Sequence, residues 1–147
     1  MTEVGIVIPA YNTESAVVRE YIREIQQTID HKKLLVELDD PNRHQRRELS
    51  RIDGVELNTS PERRGKGAAV MAGFDALDTG VRAFADADAS TPADSLAEVI
   101  RHVERGEADV SIGSRRHPES KILSHQTVVR RFLGDAFALV AKRLLPT

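Results

Sequence analysis

The sequence predicts an α/β chain: a mostly parallel, Rossmann-like sheet with helices on both faces. Three observations predict it. Short apolar runs alternate five times with stretches whose apolar residues recur at helical spacing, the pattern of a parallel sheet covered by its own crossover helices. Several of the runs are nearly continuous in apolar residues, as in buried strands. The polar, chemistry-bearing residues cluster just after the runs, and open sheets of this type bind ligands beyond the carboxyl ends of their strands.

The elements follow in order. Residues 4–8 form the first strand, stopped by Pro9. Residues 13–30 carry Val18, Tyr21, Ile22, Ile25 and Ile29 on one helical stripe, with Asn12 or Thr13 as N-cap. Residues 34–38 form the second strand, ending at Asp39-Asp40-Pro41, and residues 42–51 a short polar helix. Residues 55–58 give a third, weaker strand, and Gly65-Lys66-Gly67 opens a helix over 65–77. Residues 81–85 form the fourth strand. Leu96, Val99, Ile100 and Val103 mark a helix that starts at Thr91-Pro92 and ends before Gly106. Residues 108–112 read as a fifth strand. Residues 126–145 close the chain with a stripe of Val129, Phe132, Leu133, Ala136, Phe137 and Val140.

The length, 147 residues, fits one domain with a real core. We read residues 1–147 as a single domain whose last part, about 116–147, is a basic amphipathic tail. The formal charge of −2 gives no whole-protein pull toward nucleic acid. The lack of cysteine removes disulfides, thiolate metal sites and cysteine nucleophiles together. Glu3 and the immediate strand argue against a secretory signal, and no apolar run reaches the roughly eighteen residues of a membrane span.

Asp86-Ala87-Asp88, at the end of the fourth strand, is the most informative motif. Alternate strand residues share a face, so the two carboxylates aim together. They repel each other unless a cation lies between them. A hard divalent cation suits such oxygens, and Mg2+ is typically shared with substrate phosphates. The plain alternative is a solvated acidic turn. Five strand ends carrying polar residues weigh against that alternative: Pro9 to Asn12, Asp39-Asp40, Ser60 to Lys66, Asp86-Ala87-Asp88 and Gly113-Ser114-Arg115.

Ile8-Pro9-Ala10-Tyr11-Asn12, the Asp39-Asp40 pair, Arg64-Gly65-Lys66-Gly67-Ala68-Ala69, Asp86-Ala87-Asp88 and Ile112-Gly113-Ser114-Arg115 occur in that order. This ordered set resembles the family-2 glycosyltransferases, and within them the dolichyl-phosphate mannose and glucose synthases and their archaeal relatives. The resemblance covers nearly the whole chain. It implies the nucleotide-diphospho-sugar transferase (GT-A) fold and transfer of a sugar from a nucleoside-diphosphate sugar to an acceptor, commonly a polyprenyl or dolichyl phosphate, with Mg2+ or Mn2+. It also implies site roles. Pro9 and Tyr11 line the nucleotide base and ribose, and Leu38 and Asp40 frame the base. Glu14 lies near the family's acidic residue after Tyr-Asn, a position that strict alignment gives to Thr13. Asp86 and Asp88 hold the metal and diphosphate, with Ala87 close to the ribose and Ser90 near the metal. Arg115 contacts phosphate. Where the family usually continues Gly-Ser-x-Asp, this chain reads Pro41-Asn42-Arg43-His44.

The chemistry is consistent with those roles. A nucleoside-diphosphate leaving group gains negative charge as the glycosidic bond breaks, and a metal at Asp88 with a guanidinium at Arg115 would stabilise it where it develops. Arginine suits phosphate through its planar fork. An acceptor phosphate, with a second pKa of roughly 6, is already anionic near neutrality and has little need of a general base. Direct attack would invert the anomeric carbon. Asp86, Asp88 and Arg115 are therefore the catalytic candidates.

Several motifs have competing explanations. Arg64-Gly65-Lys66-Gly67 is no hydrolase phosphate loop, because Ser60 and Gly67 stand where glycine and a hydroxyl residue belong. Lys66 is either a plain helix start or a direct phosphate contact, and it stands among the donor-binding candidates. Tyr11 could be a core aromatic, and Asp39-Asp40-Pro41 a turn. The five histidines show no ligand spacing. A sugar-phosphate nucleotidyltransferase would need a glycine-rich loop where Pro9 to Asn12 stands.

Between residues 115 and 143, seven Lys or Arg face only Glu119 and Asp135. With the apolar stripe this makes a basic amphipathic helix, which either packs on the sheet or lies on an anionic membrane surface. In the family an arginine near Arg130 or Arg131 sits by the acceptor site. Family members continue well past this length, so the resemblance also implies a missing C-terminal portion. Two readings stay open: an inverting, peripheral enzyme on the cytoplasmic membrane face, or a donor-binding remnant that a homo-oligomer or a partner subunit completes.

Overall fold

The computed structural model describes residues 2–114. Two units divide the chain at Met1–Gly113 and Ser114–Thr147. The expected closing helix, the basic tail and Arg115 lie outside the described residues.

Four strands and four helices alternate: β1 Val4–Ala10, α1 Ser15–Thr28, β2 Lys33–Asp39, α2 Arg43–Leu49, β3 Glu56–Ser60, α3 Lys66–Asp75, β4 Val81–Phe84 and α4 Ala93–Glu104. The sheet is parallel throughout and ordered β3-β2-β1-β4. The chain therefore builds outward from β1 to β3, then returns to place β4 on the other side of β1. That reversal creates a topological switch point between the carboxyl ends of β1 and β4, where ligands bind in folds of this kind.

Period two along the strands divides the core. Val4, Ile6, Ile8 and Ala10 of β1, with Leu34, Val36 and Leu38 of β2, meet Val18, Tyr21, Ile22 and Ile25 of α1, Leu49 of α2 and Leu96, Ala97 and Ile100 of α4. The alternate residues Val7 and Leu35 face the other way, toward Phe74 and Leu77 at the end of α3. Helices thus cover both faces, as the alternation predicts. On its second face α3 lies unusually close. A β-carbon built on Gly73 would sit 2.5 Å from Val7 Cγ1 and 3.2 Å from Glu37 Cγ.

Two expectations are corrected. Residues 108–112 form no strand, and Val110 and Ile112 are exposed. Their alternation of apolar and polar residues fits a strand, but a strand also needs a neighbour for its backbone and cover for its side chains, and among the described residues this segment has neither. The N-cap of α1 is Glu14, with no side-chain cap bond, rather than Asn12 or Thr13. Asn12 is spent on the preceding turn, at φ 50°, a left-handed conformation that asparagine tolerates better than most residues. Elsewhere the caps agree with their residues. Asn42 Oδ1 accepts from Gln45 N at 2.8 Å to start α2, and Gly106, at φ 68°, ends α4.

Candidate active site

A cavity of about 240 Å3 opens at the switch point. The β1 end supplies Pro9, Ala10, Tyr11 and Thr13, and the β2 end supplies Asp39. The loop into α3 supplies Arg63, Gly65 and Lys66, and the β4 end supplies Asp86, Ala87 and Asp88. Four separate chain segments, distant in sequence, converge here.

Strand β4 stops at Phe84, so Asp86-Ala87-Asp88 follows it rather than closing it. Ala85 N donates to Val7 O at 3.1 Å, which carries the ladder one step past the strand. Ala85 and Ala87 are buried in the α1 face of the core, so Asp86 and Asp88, on the alternate positions, are left to line the cavity. A turn follows at once. Ser90 N donates to Asp88 Oδ1 at 3.0 Å, and Ala89 sits at φ 56°. The Lys66 ammonium lies 2.6 Å from Asp86 Oδ1, and both side chains are partly exposed. Lys66 Nζ is also 5.4 Å from the centre of the Phe84 ring.

A second acidic pair holds the loop that brings Lys66 there. Glu37 and Asp39 are almost fully buried. Asp39 Oδ2 accepts from the backbone N–H of Arg64 at 2.8 Å and of Gly65 at 3.0 Å, and its Oδ1 accepts from Arg64 Nε at 2.9 Å. Arg64 Nη2 donates to Glu37 Oε2 at 2.9 Å, and Asn58 Nδ2 donates to Glu37 Oε1 at 2.9 Å. Hydrogen bonding to Glu37, and then to Asp39, holds the Arg64 guanidinium above its ordinary pKa although burial opposes this. Gly65, at φ 90°, makes the reversal that lets α3 begin with Lys66. Sequence reading did not find this clamp. The available signal was an acid, Glu37, in the middle of an otherwise apolar strand.

Tyr11 is 44% exposed, so it is no core aromatic, and the Arg63 guanidinium lies 4.5 Å over its ring. Among the described residues the fully buried aromatic is Tyr21, and its hydroxyl has no hydrogen-bond partner among them. Burial first, then the charges of Glu24, Asp86 and Asp88, push its pKa well above the ordinary value.

The cavity thus gathers Pro9, Tyr11, Lys66, Asp86, Ala87 and Asp88 from the sequence candidates, takes Thr13, the strictly aligned position, rather than Glu14 and Asp39 rather than Asp40, and adds Arg63. Other candidates stand apart. Leu38 is fully buried on the α1 face. Asp40 turns outward at φ 45°, its N–H donating to Ser60 O at 2.9 Å. Ser90 is exposed beyond the lining residues. Glu14 lines a neighbouring polar cavity of about 460 Å3 with Arg19 and Glu48, which already pair with each other at 2.6 Å. Among the described residues no group of three or more His, Cys, Asp or Glu could hold a metal ion. Asp86 and Asp88 bring two carboxylates to the cavity, so a cation held there would draw its remaining ligands from water and substrate oxygens, as Mg2+ commonly does. The ammonium against Asp86 shows that one of these oxygens takes a cationic partner.

Residues 5–137 match the model of glycosyl transferase family 2. The chain belongs to that family. No curated protein matches it. Among solved structures, a mannosyltransferase from Pyrobaculum calidifontis in complex with GDP-Man and Mn2+ is similar over 68% of this chain and 32% of its own, at 22% identity and a TM-score of 0.58. A manganese complex of Rv0371C from Mycobacterium tuberculosis H37Rv is similar over 71% of this chain and 61% of its own, at 11% identity and a TM-score of 0.54. At these identities the two neighbours speak to the fold, and this family-2 chain spans less than two thirds of either. No helix among its described residues is long and apolar enough to cross a membrane.

Proposed function

We propose that this family-2 domain binds a nucleoside-diphosphate sugar at the switch-point cavity and transfers the sugar, with inversion, to a polyprenyl phosphate such as dolichyl phosphate. The observation that carries the reading is that Asp86 and Asp88 line one cavity with Tyr11 and the start of α3. Tyr11 offers an exposed ring for the base, with Pro9 beneath the ribose. Lys66 and the amino end of α3 favour the negative diphosphate. Asp86 and Asp88 would hold Mg2+ or Mn2+, with Ser90 bracing Asp88 through its backbone N–H; the ion when bound supplies charge neutralisation at the leaving group. The GDP-Man and Mn2+ of the Pyrobaculum calidifontis complex support a nucleotide-sugar donor and a divalent cation.

The work left to the protein is positioning and electrostatics. The acceptor phosphate is anionic near neutrality, so no general base is required of the cavity. Arg115 is proposed as a further phosphate contact. The basic segment after it would meet the acceptor at the cytoplasmic membrane face, with Arg130 or Arg131 nearest the lipid phosphate.

A second reading is a donor-binding unit completed by a partner or a second copy. The exposed side chains of Phe84, Val110 and Ile112 favour it. Calorimetry with GDP- and UDP-sugars, with and without Mn2+, tests the donor site. Metal-dependent binding that survives Asp88→Asn would sink the assignment. Transfer of labelled sugar to dolichyl phosphate in vesicles then separates the two readings, because the donor-binding unit alone gives binding without transfer.

A further inference from the structure

The Lys66–Asp86 contact has a chemical consequence beyond donor binding. We infer that Lys66 is a displaceable counter-ion: its ammonium holds Asp86 while the cavity has no donor, and it moves to the diphosphate when metal and nucleotide enter together. The inference rests on the reading of Asp86 and Asp88 as cation ligands.

Asp86 Oδ1 is 2.6 Å from Lys66 Nζ. A divalent cation on the same carboxylate would repel an ammonium held that close, so metal binding favours release of the lysine. The displacement is feasible because the pair is open to water. Lys66 is 56% exposed and Asp86 42%, against 2–3% for the Glu37 and Asp39 carboxylates that hold Arg64. The backbone on either side of Lys66 is uncrowded: a β-carbon on Gly65 or Gly67 would meet nothing within 4 Å. By contrast, Arg64 next door is fixed by its side chain and its backbone at once.

Metal alone releases the ammonium into water with no new partner. Metal that carries a diphosphate brings fresh negative charge to the start of α3, within reach of the freed side chain. Metal and nucleotide binding are therefore positively coupled through Lys66, and the coupling is reciprocal. Lys66 keeps the acidic pair from loading a free cation and rewards the cation that arrives with a diphosphate.

The test titrates Mn2+ into the full chain, following free Mn2+ by electron paramagnetic resonance, first alone and then with saturating GDP or UDP. Lys66→Met should bind Mn2+ alone about two- to fivefold more tightly than wild type, as expected for removal of an exposed ion pair. With the nucleotide it should bind Mn2+ about tenfold more weakly, through loss of a charged hydrogen bond. Lys66→Arg, which keeps the charge, should not share the tighter binding of Mn2+ alone. Equal affinity of wild type and Lys66→Met for Mn2+ alone, or undiminished binding by Lys66→Met with nucleotide, overturns the exchange. Asp88→Asn separates this failure from that of the underlying reading. If Asp88→Asn binds as wild type does, or wild type takes up no Mn2+ with either nucleotide, the metal assignment itself falls and the exchange with it.

Discussion

Two acidic pairs with the same spacing stand at the carboxyl ends of two strands of one sheet, and they have opposite fates. Glu37-Leu38-Asp39 and Asp86-Ala87-Asp88 each place carboxylates on alternate residues, with an apolar residue between them turned into the core. The first pair is buried and saturated: Arg64, Asn58 and two backbone amides meet its oxygens. The second lines an open cavity, where Asp86 meets a solvent-exposed ammonium and Asp88 the N–H of its own turn. Spacing therefore decides only that two acids face the same way. The number and rigidity of their partners decide whether they hold the fold together or remain available to a ligand.

The largest difference should appear on removing the cation from each pair. Arg64→Met leaves two buried carboxylates facing each other and should cost about 3 kcal/mol of stability, in line with breaking a buried ion pair. Lys66→Met should cost less than about 0.5 kcal/mol, as at an ordinary surface position. Urea unfolding of the two variants side by side measures both, and equal losses would erase the contrast.

Removing one acid from each pair is the next comparison. Glu37→Gln should lower stability by about 1–2 kcal/mol, because Arg64 loses a charged partner. Asp88→Asn should leave the melting temperature nearly unchanged while removing metal-dependent nucleotide binding. A thermal shift with and without Mn2+ and GDP reads both effects.

Alkaline pH probes the floor beneath the open pair. Tyr21 is buried, and its folded pKa lies above the ordinary value of 10.0. The folded state therefore retains a proton that the unfolded state gives up, and stability should fall as pH rises past about 10. Tyr21→Phe should flatten that fall. An unchanged slope in denaturation midpoints between pH 9 and about 11 would show that the hydroxyl is solvated after all.

The smallest effect belongs to the cavity rim. Arg63→Ala removes a guanidinium stacked on an exposed ring, worth about 0.5–1 kcal/mol, and should change nucleotide affinity only a few fold in the same calorimetric titration.

How much of this the sequence reveals depends on how local the cause is. Strand and helix order, and the Asp86/Asp88 wall, are legible because period two and helical stripes are properties of neighbouring residues. The Arg64 clamp is not, because Glu37 and Arg64 stand 27 residues apart and no periodicity links them. The same holds in miniature at the other strand ends. Asp39 rather than Asp40, and Thr13 rather than Glu14, reach the cavity, because Asn12 and Asp40 adopt left-handed turns that redirect the chain. Residues 108–112 show the converse: a local pattern for a strand, without the neighbour that makes one.

The bare α-carbon of Gly73 carries a last consequence. It lets α3 rest directly on Val7 and Glu37, and Lys66 is carried about two helical turns away on the same rigid rod. Any methyl group added at Gly73 would act as a wedge under the far end of that rod and tilt its tip over the acidic wall. A substitution well away from the cavity would then retune which ions the cavity accepts.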